Sequence, residues 1–203
     1  MESPEVHHPH PGHGGGLPRW LELLIAVTAL ITSVTSIFLA MHHGQVMEKL
    51  VAANSMPYVL AGASNADEDG ARRLSVDVHN QGVGPAQEKS LKIKFDGRYV
   101  RSVDDLIAAA LGPQDAPAAQ AALRRYRNST QERFVPANSS QLVFRIPRTE
   151  ANAAHWDRLD ATLETWEFEY CYCSVFKDCW QVIKERRTPV KGCIRDEAHE
   201  FTP

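Results

Sequence analysis

The chain has 203 residues, 43% of them hydrophobic, and a net charge of −3 at neutral pH. That length allows one domain, or one domain with an appendage. With 25 acidic against 22 basic residues there is no basic footprint, so no nucleic-acid partner is expected.

Residues 1–17, MESPEVHHPHPGHGGGL, are rich in Pro, Gly and His and have almost nothing to bury, which predicts disorder. His7, His8, His10 and His13 offer only the loose metal affinity of any His-rich tract that lacks a scaffold. From Leu23 to Met41 the next stretch runs for nineteen residues without a charge, Pro or Gly. At 1.5 Å per residue it spans roughly 28 Å, close to the hydrocarbon thickness of a bilayer. Residues 18–41 are therefore predicted to form an uncleaved transmembrane helix, with the lipid bilayer as its partner. Pro18 suits the first turn and Trp20 the headgroup level. A cleaved signal peptide would have a shorter apolar run, a more positive leader and a small-residue cleavage site.

Residues 42–56 contain no Pro and repeat Val46, Met47, Leu50 and Val51 at helical spacing, so the anchor is expected to continue as a stalk that Pro57 ends. Within the anchor, Thr28, Thr32, Ser36 and Ala40 lie four apart on one face. Small residues at that spacing permit close helix approach, which points to a protein partner or self-association through the anchor. Met41, His42, His43 and Met47 hold copper-type donors, but adjacent helical histidines point about 100° apart, so they read as an interfacial polar turn. Arg19 and the N-terminal amine on one side, against Lys49 offset by Glu48 on the other, favour a cytoplasmic N-terminus.

Residues 57–203 change from a helical period to a period of two, and are read as an antiparallel β-sandwich of about seven strands. Strands are expected at 58–62, 74–78, 91–95, 98–100, 141–146, 165–173 and 179–183, and Asp96-Gly97 is a strong hairpin signal. A small helical insertion over about 102–127 interrupts them. Ser102 caps its first helix, which Gly112-Pro113 stops, and Pro117 opens a second helix reaching about Arg127. Arg124, Arg125 and Arg127 then read as cations complementing that helix end. A third short helix is expected over 152–159.

Between the second and third strands lies Asn80-x-Gly82-x-Gly84-Pro85-Ala86, in which Asn bonds its own backbone, glycines take positive φ and Pro blocks further pairing. This strand–turn–strand resembles that of bacterial immunoglobulin-like adhesion and envelope modules. The whole chain is similar to proteobacterial single-pass, membrane-anchored proteins with an immunoglobulin-like sandwich and a Cys-rich C-terminal hairpin. The resemblance implies this architecture and no activity; the flanking charges and the four cysteines lead to the expectation of an inner-membrane anchor with a periplasmic domain. Gly82-x-Gly84 opens no helix and no lysine stands at the phosphate-loop position, so nucleotide binding is not expected.

No catalytic, cofactor-binding or metal-ligating residue is nominated. His79 should face away from the core, His155 lies on the third helix and Ser174 follows the cysteines, with no catalytic pattern joining them. Glu167 and Glu169 share a strand face, usually a solvated one; a divalent cation is the alternative. Asn128-Ser129-Thr130 and Asn138-Ser139-Ser140 match glycosylation acceptors, which matter only in a eukaryotic secretory pathway.

The four cysteines are spaced C-x-C-x5-C-x13-C, without the C-x2-C of zinc knuckles or thiol oxidoreductases. In an oxidising compartment they fit two disulfides stapling a hairpin over 165–193. Cys171 and Cys173 share one strand face about 6.6 Å apart, near the limit for a bridge, so each should pair elsewhere. Two connectivities remain, Cys173–Cys179 with Cys171–Cys193, or Cys171–Cys179 with Cys173–Cys193; the five-residue loop 174–178 favours the first. The expectation is a non-catalytic binding or assembly module, with a metal-binding or thiol-redox protein acting through these cysteines as the alternative.

Overall fold

One helix, α1, runs from Arg19 to Asn54. The structure, a computed structural model, describes residues 18–66, 70–127 and 134–203; the tail histidines and Asn128 lie outside them. The chain divides into two units, Met1–Leu50 and Val51–Pro203.

Pro18 contributes the first carbonyl of α1, accepting from Leu21 N–H at 2.8 Å. No Pro interrupts the helix, and it ends three residues before Pro57. None of its residues is buried, and by length and composition it can cross a membrane. The hydroxyls along it bond backward: Thr28 donates to Ile25 O at 2.9 Å, Thr32 to Thr28 O at 3.0 Å and Thr35 to Ile31 O at 2.7 Å. The row Thr28, Thr32, Ser36, Ala40 is therefore open on the helix surface. Its two threonines offer shape rather than a free hydroxyl proton.

In chain order the second unit holds β1 (Val59–Ala66), β2 (Arg72–Asn80), β3 (Ala86–Phe95), β4 (Arg98–Val100), α2 (Val103–Leu111), α3 (Ala116–Ala122), β5 (Tyr126–Arg127), β6 (Phe134–Val135), β7 (Ser139–Pro147), α4 (Ala153–Asp160), β8 (Trp166–Ser174), β9 (Cys179–Ile183) and β10 (Arg186–Val190). They form an antiparallel sandwich of two sheets, ordered β1-β2-β7-β5 and β10-β9-β8-β3-β4, with β6 paired to the start of β3. Leu74, Val76 and Val78 of β2 and Tyr170 and Tyr172 of β8 turn inward at the two-residue period and are almost fully buried. Trp156 of α4 is buried with its indole N–H donated to Ile146 O at 2.9 Å.

Strict alternation fails on β7, where Val143 and Phe144 are both buried. The register against β2 shifts there by one residue, a bulge that lets two neighbouring side chains serve the core. Among the described residues there are ten strands rather than seven. β5 and β6 are two residues each, and β10 carries Arg186, Arg187 and Pro189, a composition that hides a strand until a partner orders it.

The insertion has the expected start and a shorter end. Ser102 Oγ accepts from Asp105 N–H at 3.1 Å, α2 buries Val103, Leu106, Ile107 and Leu111, and Gly112 closes it at φ 84°. α3 stops at Ala122 instead of about Arg127, because Leu123 is drawn into the core and residues 126–127 pair with β7. The three arginines therefore do not complement a helix end. Arg125 forms an ion pair with Asp104, and Arg127 donates to Pro203 O at 3.3 Å.

The C-terminal segment docks back onto the sandwich. Phe201 enters the core with its ring 5.8 Å from that of Phe144, and its N–H donates to Leu91 O at 2.9 Å. The Glu200 carboxylate, 8% exposed, accepts from Ser90 Oγ at 2.7 Å and from Leu91 N–H at 3.2 Å.

Candidate functional site

Three places in the second unit concentrate chemistry: the turn after β2, the cysteine cluster, and a groove along β1.

At the turn, Asn80 is 1% exposed and its amide organises five backbone groups. Its Oδ1 accepts from Gly82 N–H at 3.0 Å and Tyr58 N–H at 3.2 Å. Its Nδ2 donates to Gly84 O at 2.8 Å and to Val135 O and Pro136 O, both at 3.0 Å. The local bonds to Gly82 and Gly84 are those of an Asn turn; the bonds to 58, 135 and 136 tie in segments distant in sequence. Neither Gly82 nor Gly84 has positive φ, which corrects the reading of these glycines. A Cβ on Gly84 would collide with the Ser55 carbonyl, and one on Gly82 with the backbone at Met56–Tyr58. Glycine is needed here for close backbone approach, not for a left-handed conformation. Pro85 then ends the turn and Ala86, fully buried, starts β3.

The cysteines lie on the face of β8 opposite the tyrosines. Cys173 stands opposite Cys179 in the β8–β9 register and is bridged to it with Cα atoms 4.0 Å apart; Cys171 is bridged to Cys193 at 5.7 Å. No free cysteine occurs among the described residues. The second bridge carries the chain beyond β10 back to the sheet. The Sγ atoms of Cys173, Cys179 and Cys193 lie within 4.8 Å of one another, so the two bridges are stacked.

The loop between β8 and β9 is organised by Ser174, whose Oγ accepts from Phe176 N–H at 3.1 Å and Asp178 N–H at 3.2 Å. His79 is exposed at the end of β2, and the Nδ1 of His155, on α4, is buried with no partner among the described residues. These three sit on three separate elements. Glu169 accepts from Lys94 Nζ and from Tyr99 Oη, and this hydrogen bond holds the Lys94 ammonium above its usual range. Glu167 pairs with Lys184 at 3.1 Å, so side chains of the chain itself neutralise both carboxylates.

The groove, about 540 Å³, lies between β1 and the facing surface of β8 and β9. Leu60, Ala61 and Ala63 line one wall; Trp166, Phe168 and Tyr170 line the other. Glu164, Lys184 and Glu185 stand on its rim. Farther along β8, the Tyr172 hydroxyl accepts from Val59 N–H at 3.3 Å, and burial pushes that phenol's pKa up. Beyond it the Arg187 guanidinium stacks on Trp180 at 4.2 Å and on Tyr58 at 5.5 Å. Periodicity alone places Trp166, Phe168 and Tyr170 on one face, but nothing local says that β1 stops short of covering them.

Compared with known proteins, the chain matches no family model and no curated relative.

Proposed function

We propose that the chain is a non-catalytic, membrane-anchored module that presents an immunoglobulin-like sandwich to a partner in the cell envelope, as an accessory subunit of a larger membrane complex. The observation that carries this reading is α1: 36 residues, apolar over 23–41, with no buried side chain. Exposing such a helix to water raises the free energy, and burying it in lipid lowers it. The two disulfides support an extracytoplasmic sandwich, since such bridges persist in oxidising compartments. With Arg19 at the other flank, the anchor lies in the inner membrane with its N-terminus in the cytoplasm. The open row Thr28, Thr32, Ser36, Ala40 is the face on which a second helix, of a partner or of another copy, would pack. The turn at Asn80 to Ala86 supports kinship with immunoglobulin-like envelope modules of anchored proteobacterial proteins.

Purification of the full chain in mild detergent tests the reading: a stoichiometric companion or a defined oligomer is expected, and a lone monomer overturns it. An alkaline-phosphatase fusion at the C-terminus reads the orientation, and an active fusion is expected.

A second reading rests on the three clustered sulfurs. Reduction of both bridges would place thiolates of Cys173, Cys179 and Cys193 within reach of one soft cation. Thiol titration and metal analysis of the native protein separate the two readings: free thiols with bound metal favour the second, and neither leaves the first.

A further inference from the structure

The outer strands of the sandwich are not finished alike. β4, β5 and β6 are three, two and two residues long. β10 carries two arginines and Pro189, which has no N–H to offer. These are the ordinary devices that stop a sheet edge from recruiting another strand. β1 has none of them over residues 59–64; its register against β2 shifts only beyond that stretch, between Ser64 and Ala66. Its sequence over residues 59–66, VLAGASNA, is eight residues long, uncharged and free of Pro, and it ends the four-stranded sheet.

The hydrogen-bond pattern shows which groups of β1 face outward. Tyr58 O accepts from Gln81 N–H on the β2 side at 2.8 Å, whereas Val59 N–H turns away from β2 and donates to Tyr172 Oη. Antiparallel alternation then aims the N–H and C=O of Ala61 and Ala63 at the outer edge, where no group among the described residues takes them. The groove lies beside this same stretch of backbone. Glu164, Glu167 and Glu185 there face one ammonium, Lys184, which is already paired with Glu167. Glu164 and Glu185 have no ion-pair partner among the described residues.

We propose that β1 is a strand-addition site for an extended segment of a partner protein, apolar at alternate positions and carrying a lysine or arginine. Main-chain bonds to Ala61 and Ala63 supply the pairing. Every second side chain of the segment enters the groove against Trp166 and Phe168, and its cation meets Glu164 and Glu185. The same acidic rim disfavours a second copy of this chain, which would bring like charges together. The proposal rests on the reading of the chain as a binding module, and it names the partner's class and the surface it uses.

The test uses the full chain in detergent micelles and two synthetic octapeptides of alternating valine and threonine, one with lysine at both ends and one with glutamate. The lysine peptide is expected to bind about tenfold or more tightly than the glutamate peptide, and to slow amide exchange at Ala61 and Ala63 by a similar factor. Ala61→Pro, which removes an outward N–H, should abolish binding. Because that substitution also threatens β1 itself, the exposed double variant Glu164→Lys/Glu185→Lys is measured beside it and should reverse the peptide preference. Unchanged exchange at Ala61 and Ala63 with either peptide overturns the proposal. So does a charge preference that survives the double variant, or protection of these amides without peptide in a self-associated species. A small apolar molecule that fills the groove while Ala61 and Ala63 go on exchanging also overturns it. The outcomes are separable from those of the broader reading: a companion that still co-purifies with the Ala61→Pro chain leaves the module intact and removes this edge, whereas a lone native monomer removes the module.

Discussion

The chain enters the sandwich through Ser55–Tyr58 and leaves it through Cys193–Pro203, and different chemistry fastens the two segments to the sheets. At the entrance everything is non-covalent. Gly82 and Gly84 let the backbone pass at contact distance, and the Asn80 amide bonds the incoming strand, the turn and β6 together. At the exit a disulfide from Cys193 to Cys171 brings the tail back, and Phe201 and Glu200 then seat it. Loop length does not set the two apart, since Tyr58–Asn80 and Cys171–Cys193 each span a separation of 22. The difference lies in the bond: several buried hydrogen bonds share the work at the entrance, whereas one covalent cross-link starts it at the exit. The entrance is indifferent to redox conditions and the exit is not.

The largest effect should come from crowding the entrance. Gly84→Val drives a side chain into the Ser55 carbonyl, where backbone rather than a pliable side chain must move. A loss of about 3 kcal/mol or more is expected, read as a shifted denaturation midpoint. Asn80→Ala comes next. It leaves five backbone groups without their partner in a buried site, and about 3 kcal/mol is expected because some relax to water or to one another. An equal loss in oxidised and reduced protein would confirm that the entrance does not depend on the exit.

The exit should break in two unequal steps. Replacing Cys171 and Cys193 by serine should cost about 3 kcal/mol, and replacing Cys173 and Cys179 about 2 kcal/mol, because the loops closed differ in separation, 22 against 6. Chemical denaturation of the two double variants checks the order. A larger loss from the shorter loop would show that the stacked sulfurs, rather than loop closure, set the stability.

The smallest effect is on acidity. Asp196, on the returning tail, has its carboxyl held below the usual carboxylate range, first by a hydrogen bond with His199 and also by the Ala198 N–H and by Lys92. A depressed carboxylate contributes stability that is present above its unfolded value, 3.8, and is lost as pH falls through the lower folded value. The amides of Phe201 and Thr202 should therefore exchange faster as pH drops below 3.8, relative to intrinsic rates. His199→Ala should flatten that limb, while the amides of Tyr58 and Gly82 at the entrance stay unchanged.

Features set by neighbours in sequence were legible before any fold was known. An apolar run with Pro18 before it and Pro57 after it bounds α1 to within a few residues, because a helix's bonds span only four positions. Ser102 and Gly112 bracket α2, and Asp96-Gly97 turns β3 into β4, for the same reason. Alternation placed Tyr170 and Tyr172 on one face of β8 and the cysteines on the other.

What the tertiary structure alone decided concerns groups far apart in the chain. β5 and β6 are two residues each, too short to show a period although Tyr126, Phe134 and Val135 favour extension, and β10 carries Arg186, Arg187 and Pro189; they are strands because β7, β3 and β9 offer them hydrogen bonds. α3 ends early because the core claims Leu123. Gly82 and Gly84 read as turn glycines, but only the passage of Ser55–Tyr58 shows that they make room for backbone. The open edge of β1 belongs to this second group as well. A row of small uncharged residues carries no sign of its own, and it becomes a surface only once the other outer strands among the described residues are seen to be short or to carry arginine and proline.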